Sequence, residues 1–393
     1  MEFIFAFGAH LGGSNFIGQT AELAEIGYFI CHHKAGAGSF ARLLKMQLTI
    51  TPGAKPRPFI DSDDLKDLGK LFEYVGNQTA MFLILCSKEI LSRPWCLGEI
   101  VTARAKRVGT LSVVFQDFAL PTPEYIRTYA EHVGDLSGLT ERGIRLSRIQ
   151  DALNSLASLP HIDVPATLGQ DTMVEVSENI VKGVATSMVI RSHADADVVR
   201  IQSVAPKTFI LPDISNMEAV ATAFVLKMLL TSRLSHTPDL VPHVVTFETP
   251  ADIRTILIVC TDGAFQHAHM LRVLMFAGTR HAKYVPILAS DAFRFPSKDF
   301  LEENRQAFEA MNLHADADAI AKIVADVFKS IAVVFEPQAY SSTEEVLAAK
   351  ADAIAERCTK QSLLKELSFE VTASTRADNT GDARQDMGEL RDL

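Results

Sequence analysis

The stretch from Met81 to Glu99 reads MFLILCSKEILSRPWCLGE, and it decides the fold that the sequence predicts. It begins with an apolar run that ends at Cys86 and is short enough to be a strand buried on both faces. Trp95 and Glu99 follow four residues apart, which places both side chains on one face of a helix. A strand that leads to a carboxylate and an indole is typical of the ligand crevice of an open α/β sheet. A lone tryptophan is more often a core or groove filler, so both interpretations stay open at this point.

The composition excludes several classes of protein. A chain of 393 residues predicts two or three domains, and a net charge of −10 argues against nucleic-acid binding because no basic surplus exists to neutralise phosphates. No run of about 18 apolar residues occurs, so we expect no membrane span. The cysteines are odd in number and scattered, and Cys31, Cys86 and Cys260 end strand-like runs. That pattern is typical of reduced, buried thiols and predicts a cytoplasmic protein.

Strand-like runs alternate with amphipathic helices on both sides of the opening stretch, which predicts a parallel sheet with helices on both faces. The first strand ends at Cys31 and leads through His32, His33 and Lys34 into a loop of small residues, with Ser39 as the predicted N-cap of the next helix. This arrangement fits a generic anion site or a plain βα turn, and it lacks the closing Gly-Lys-Ser/Thr of a phosphate-binding P-loop.

The second strand leads into an acidic segment from Asp61 to Gly69. Its acids lack the spacing and the closing glutamate of an EF-hand calcium loop. We interpret the segment as a solvated start of a helix, where acidic side chains complement the helix dipole.

The alternation restarts at Lys207, and the two halves of the chain match at a constant offset. Leu83–Ser87 aligns with Leu257–Thr261, and the same register places His269 opposite Trp95 and Val273 opposite Glu99. The second copy is therefore predicted to keep the strand and the helix and to lose the indole and the carboxylate. Its His267 and His269 lack a third metal ligand, so we expect no metal site.

The first half resembles a Toll/interleukin-1 receptor (TIR) domain. Phe29–His33 matches the first strand and its loop, Phe59–Leu65 the second strand and the start of the BB loop, and Leu91–Ile100 the segment written S-x-W-C-x-x-E. The departures are Cys31 in place of the usual serine, a late Gly69 at the end of the BB loop, and Lys66 where some active members carry an acid. The second half resembles the same family far more weakly.

The resemblance implies a flavodoxin-like TIR fold in two tandem copies. The domain boundaries that we expect are an N-terminal extension at 1–25, a TIR domain at 26–160, a helical linker at 161–205, a degenerate TIR-like domain at 206–340, a C-terminal helix at 341–370 and a disordered tail at 371–393.

The resemblance also implies one of two functions. Some TIR domains hydrolyse NAD⁺ at the nicotinamide–ribose bond, and others are signalling scaffolds that act through TIR–TIR self-association, so a homo-oligomer is expected in either case. In the enzymes the essential glutamate corresponds to Glu99. The substrate-binding residues implied for NAD⁺ are Trp95, His33, Lys34, Ser39, Cys31, Asp61 and Asp64. No dinucleotide fingerprint is present, so NAD⁺ would be a substrate and no cofactor is expected. A response-regulator receiver is a further alternative, although Trp95 and Cys96 have no place in that pattern.

Overall fold

The computed structural model describes residues 24–65, 67–183, 207–240, 253–311 and 317–359. These residues form two compact units. Unit 1 contains the described residues up to 183, together with the segments Ile214–Val225 and Glu336–Glu344, and unit 2 contains the rest. Most of the predicted N-terminal extension, the predicted tail and Lys66 lie outside the described residues.

Unit 1 contains a parallel five-stranded sheet in the order β2-β1-β3-β4-β5, which is the doubly wound order of flavodoxin-like folds. The predicted α/β class and parallel sheet are therefore confirmed. The strands are β1 (Ile26–Cys31), β2 (Pro58–Phe59), β3 (Thr79–Cys86), β4 (Gly109–Val114) and β5 (His161–Asp163).

Helices follow each strand of unit 1, as a parallel sheet requires. They are α1 (Lys34–Ile50), α2 (Asp61–Asp64), α3 (Leu71–Glu73), α4 (Pro94–Lys106), α5 (Pro123–Arg127), α6 (Tyr129–His132), α7 (Ser137–Thr140), α8 (Leu146–Ser155) and α9 (Gln170–Lys182). The strand β5 lies just beyond the predicted domain end at 160, and α9, which falls in the predicted linker, belongs to unit 1.

The helix α4 packs closely because its sequence combines an N-terminal proline with a glycine. Pro94 occupies the first turn, where its missing N–H leaves no hydrogen bond unmade. A Cβ atom on Gly98 would collide with the ring of Phe72 and with Leu139, so only glycine allows this approach. The apolar side chains of α4 thereby join the buried core cluster that also contains residues of β1 and β3.

Unit 2 repeats the topology of unit 1. Its parallel five-stranded sheet has the order β10-β9-β8-β6-β7, which is the order of the first sheet read from the other edge. The strands are β6 (Lys207–Leu211), β7 (Asp239–Leu240), β8 (Ile253–Cys260), β9 (Lys283–Leu288) and β10 (Val333–Val334). The helices are α10 (Met217–Thr231), α11 (Ala268–Thr279), α12 (Lys298–Glu303), α13 (Arg305–Ala310), α14 (Ala317–Val327) and α15 at residues 344–359.

The helix α10 is shared between the two units, because its residues up to Val225 belong to unit 1 and the later ones to unit 2. The helix α15 covers part of the predicted C-terminal helix, whose last residues lie outside the described ranges. None of the described helices combines the length and the apolar character that crossing a bilayer requires.

Candidate functional site

The candidate site lies at the carboxyl ends of β1 and β3, the two central strands between which the strand order of the first sheet reverses. Parallel α/β sheets bind their ligands at this switch point. Cys31 ends β1 and Cys86 ends β3, as the sequence predicts, and all five cysteines of the chain are free. The loops that leave these strands lead to the start of α1 and the start of α4.

Glu99 is the most deeply placed acid of the site. Its side chain projects from α4 and is only 5% exposed. One donor atom each from Cys31, Cys96 and Glu99 lies within 4.8 Å of the others. Burial, followed by the negative charge of Asp61, raises the pKa of Glu99 to about 8, against an opposing hydrogen bond from Cys31. Glu99 is therefore largely neutral at pH 7, and an approaching cation would favour its ionised form.

The same cluster offers three donor atoms to a metal ion. Burial, reinforced by Cys96 and Glu99, raises the pKa of the Cys31 thiol well above its usual range. Thiolates are the form that binds Zn²⁺, and a tetrahedral site needs a fourth ligand. These three donors therefore fit a metal site poorly. They are better described as a buried carboxyl group with two weakly polar thiol neighbours.

Asp61 supplies a second carboxylate beside Glu99. It is the first residue of α2, and its Oδ2 accepts a hydrogen bond of 3.1 Å from the hydroxyl of Tyr340. Its Oδ1 lies 3.8 Å from Nε2 of His32. Burial and then the Asp61 carboxylate raise the pKa of Tyr340, so this phenol stays protonated and donates.

Asp64 is held in a different environment from Asp61. Its carboxylate accepts from Nζ of Lys45 at 2.9 Å and from the backbone N–H of Ile60 at 3.0 Å. Asp63 pairs with Lys45 at 2.9 Å and with the guanidinium of Arg42. Asp64 therefore belongs to an ion-pair network that fixes the start of α2, and the structure does not bring it into the Glu99 cluster.

Trp95 contacts an aromatic ring and a cation. Its ring centroid lies 5.7 Å from that of Phe72, and the guanidinium of Arg142 lies 4.9 Å from the ring centroid. The ring is partly buried against the core. These contacts fit the interpretation of Trp95 as a core or groove filler, which the sequence left open.

His33 and Lys34 stand at the start of α1. His33 precedes the helix, and its Nδ1 lies 3.7 Å from Oε2 of Glu89 without a hydrogen bond. Burial and the charge of Arg93 lower the pKa of His33 in spite of Glu89, which favours the neutral imidazole. Nζ of Lys34 lies 4.1 Å from the ring centroid of Tyr340, which is a cation–π contact.

Ser39 does not cap α1, so that prediction is wrong. The helix begins at Lys34, because the loop of small residues already takes helical backbone angles, and the backbone leaves these angles at Ala37. Ser39 lies just after this kink. Its backbone N–H donates to Oε2 of Glu218 at 2.7 Å, and the N–H of Phe40 donates to Oε1 of the same carboxylate at 3.0 Å.

The sequence predicts no role for Arg42, Glu218 or Tyr340, and it places His32 only in the loop after β1. Glu218 and Tyr340 lie far along the chain from the residues that they bind, and no motif marks either position. Arg42 is only 1% exposed, and its position on the apolar face of α1 is the one signal that could have identified it.

No protein-family model matches the chain, and no curated protein matches it significantly.

Proposed function

We propose that unit 1 is a TIR domain that hydrolyses NAD⁺ at the nicotinamide–ribose bond, with Glu99 as the catalytic carboxyl group. The observation that carries the proposal is a buried, protonatable glutamate beside a second carboxylate at the switch point of the first sheet. The choice of reaction comes from the resemblance to the TIR family. Leu91–Ile100 matches the family segment, and the matches at Phe29–His33 and Phe59–Leu65 precede it in the family order.

The chemistry requires a carboxylate close to the ribose. The bond from the ribose carbon to the pyridinium nitrogen breaks, its electron pair returns to the ring, and nicotinamide leaves neutral without a general acid. The oxocarbenium ion that develops is stabilised by an anion, as in glycoside hydrolysis. We expect the positive charge of the bound substrate to lower the pKa of Glu99, so that the group ionises on binding and releases its proton to solvent. Water then bonds to the ribose carbon and releases a proton, which gives ADP-ribose.

Asp61 and Tyr340 would line the same crevice. The Asp61 carboxylate adds negative charge where the pyridinium approaches, and the hydroxyl of Tyr340 holds that carboxylate in place. His32 and Lys34 flank them at the end of β1 and the start of α1. In this proposal unit 2 is a degenerate TIR-like domain without a catalytic acid.

The test is the release of nicotinamide from NAD⁺ by the purified full chain, followed by chromatography over hours. We expect release by the wild type, and its loss in Glu99→Ala and in Glu99→Gln, which keeps the size of the side chain. Glu73→Gln removes an exposed carboxylate from the same unit and serves as the matched control. Turnover that survives Glu99→Gln, with the fold intact by circular dichroism, would sink the proposal.

The second candidate is a scaffold without enzymatic activity, and a specific surface residue favours it. Leu68 lies in the segment matched to the BB loop and is 49% exposed. A scaffold would lose self-association in Leu68→Lys and keep it in Glu99→Ala. Leu120→Lys, at another exposed leucine of unit 1, is the control. Absence of nicotinamide release from clustered wild type, together with self-association that needs Leu68, would favour the scaffold over the enzyme.

A further inference from the structure

A carboxylate of the chain itself is bound where the sequence predicts an anion. The kink at Ala37 interrupts the helical backbone of α1. The N–H groups just after the kink therefore need acceptors from outside the helix, as the first N–H groups of any helix do. Ser39 and Phe40 each donate a backbone N–H to one oxygen of Glu218, at 2.7 Å and 3.0 Å. One anion thus bridges two amides at the positive end of a helix, which is the geometry by which proteins bind phosphate oxygens.

Glu218 is positioned by its own helix. The side chain of Asn216 caps α10 by accepting from the N–H groups of Glu218 at 3.0 Å and Ala219 at 3.2 Å. One turn further along, the hydroxyl of Thr222 donates to Oγ of Ser39 at 3.0 Å. These residues belong to unit 1, and they fix the carboxylate rather than leave it to swing in solvent.

The segment Glu336–Glu344 of unit 1 covers the same helix start. Oε1 of Gln338 accepts from the hydroxyl of Ser39 at 3.3 Å, and a Cβ atom on Gly38 would lie 2.5 Å from Cβ of Gln338. The guanidinium of Arg42 donates to the carbonyl of Ser342 at 2.7 Å. The segment is thus fastened at several points along α1.

Polar groups beside this covered helix start remain unused. Oγ of Ser87 and Nδ1 of His33 are buried and have no hydrogen-bond partner. Oε2 of Glu89 lies 3.1 Å from the position that a Cβ atom on Gly36 would take, and these two atoms lie 3.3 Å and 3.4 Å from it. Buried polar groups are normally satisfied, so the unpaired hydroxyl of Ser87 points to a ligand that is not the chain itself, whereas Nδ1 of His33 faces Oε2 of Glu89 at 3.7 Å.

We propose that Glu218 is an internal substitute for a diphosphate, and that it and Gln338 hold the backbone amides of Ser39 and Phe40 covered. This inference rests on the proposed function, because it assigns the amides of Ser39 and Phe40 to the diphosphate of NAD⁺. A dinucleotide gains these amides only when Glu218 leaves them. The closed chain is therefore an inhibited form, and whatever displaces the first turn of α10 activates it.

The experiment compares the full-length wild type with Glu218→Ala and Glu218→Gln, and it uses inorganic pyrophosphate as the probe. We expect Glu218→Ala to bind pyrophosphate at least tenfold more tightly than the wild type in calorimetry. Amide hydrogen exchange in the peptide that contains Ser39 and Phe40 should rise in Glu218→Ala and fall again on addition of pyrophosphate. Glu218→Gln keeps one acceptor oxygen without the charge and should lie between the two. Glu73→Gln controls for loss of a carboxylate from unit 1.

Two results would overturn the inference. If Glu218 is only a structural cap, Glu218→Ala will lose stability and gain no affinity for pyrophosphate. If Glu218→Ala does not fold, Gln338→Ala replaces it, because this smaller change also loosens the contacts over Ser39. Pyrophosphate binding and amide exchange that stay unchanged in Gln338→Ala would count against the inference as well.

The inference and the proposed function fail in different ways. Pyrophosphate binding by Glu218→Ala without nicotinamide release would refute the enzyme and leave the displaceable anion standing. Equal nicotinamide release by the wild type and by Glu218→Ala would support the enzyme and refute the inhibition. Release that rises at least tenfold in Glu218→Ala is the result that we expect if both hold.

Discussion

The two sheets share one strand order and differ in what they bury at the end of the first strand. Cys31 pairs with Ile84 and Leu211 pairs with Ile258, so Cys31 and Leu211 occupy the same place in the two sheets. The repeat then sets Met270 against Cys96 and Val273 against Glu99. Cys31, Cys96 and Glu99 are buried in unit 1. Their counterparts Leu211, Met270 and Val273 are buried in unit 2, and all three are apolar.

This difference shows which of the buried residues the fold requires and which it does not. Unit 2 shows that the place can be filled by leucine, methionine and valine in an ordinary core. Unit 1 instead buries an acid, and burial of an acid without a cationic partner costs free energy. A feature that the same topology does without, and that costs stability where it occurs, is typical of a functional site.

The largest effect is expected when Glu99 is replaced by the residue of its counterpart. Glu99→Val should lower the rate of nicotinamide release about 10³-fold, which is about 4 kcal/mol of transition-state stabilisation. The variant should fold, because Val273 fills the same place in unit 2. Ile100→Val, a neighbouring buried change on α4, should keep turnover within threefold. A turnover of Glu99→Val close to that of the wild type would remove the functional meaning of the comparison.

The reverse exchange tests the cost of the acid. Val273→Glu places a carboxyl group in the apolar core cluster that contains Leu211 and Met270, and we expect it to destabilise unit 2 by about 3 to 5 kcal/mol at neutral pH. Urea denaturation with a probe in unit 2 measures this loss. Val273→Leu, an apolar control, should cost less than about 1.5 kcal/mol. A loss below 1 kcal/mol for Val273→Glu would mean that the fold tolerates the acid and that the two units differ by chance.

The pKa of Glu99 gives a pH dependence with a definite sign. Its value of about 8 in the folded chain lies above its ordinary value of 4.5, so the folded state binds the proton more tightly than the unfolded state. The stabilisation is complete below pH 4.5 and is lost as the pH rises towards 8. At about 1.4 kcal/mol for each pKa unit, the wild type should lose about 2 to 4 kcal/mol relative to Glu99→Gln across that window.

Urea denaturation of the wild type and Glu99→Gln at pH 5 and at pH 8.5 measures this loss. The difference between the two proteins should grow towards pH 8.5, whereas Glu73→Gln should follow the wild type at both values because its site is exposed. A constant difference would show that Glu99 is solvated in solution, and the contrast with Val273 would then lose its energetic basis.

Much of the fold could be predicted because its signals are local. The apolar runs that end at Cys31, Cys86 and Cys260 and the amphipathic segments between them specify the parallel sheets and their repeat. Cys31 and Glu99 fall together because parallel strands deliver their carboxyl ends to one edge of the sheet. The helix start was misplaced, because the residues from Lys34 to Ser39 carry no capping signal that separates a helix from a loop.

The rest of the site could not be read from the sequence because it depends on contacts between distant parts of the chain. Tyr340 reaches Asp61 across 279 residues of the chain, and Glu218 reaches Ser39 across 179. Neither Tyr340 nor Glu218 stands in a recognisable motif. The role of such a hydroxyl or carboxylate depends on the partner that folding brings to it, and the local sequence does not show that partner. Asp64 illustrates the converse, because its salt bridge to Lys45 could not be told from a ligand contact in the sequence.

The smallest effect concerns the indole that unit 2 replaces with His269. Arg142→Ala removes the cation beside Trp95 and should cost about 0.5 to 1 kcal/mol of stability in thermal unfolding, since the contact is partly exposed. Nicotinamide release should stay within twofold, because a ring that packs against Phe72 acts as a wall and not as a stacking platform. Arg142→Lys keeps the charge and should recover most of the stability. A tenfold rise in the affinity for NAD⁺ in Arg142→Ala would show instead that the guanidinium competes with the ligand for the indole, and Trp95 would then rank with Glu99 as a residue that unit 2 lost with its function.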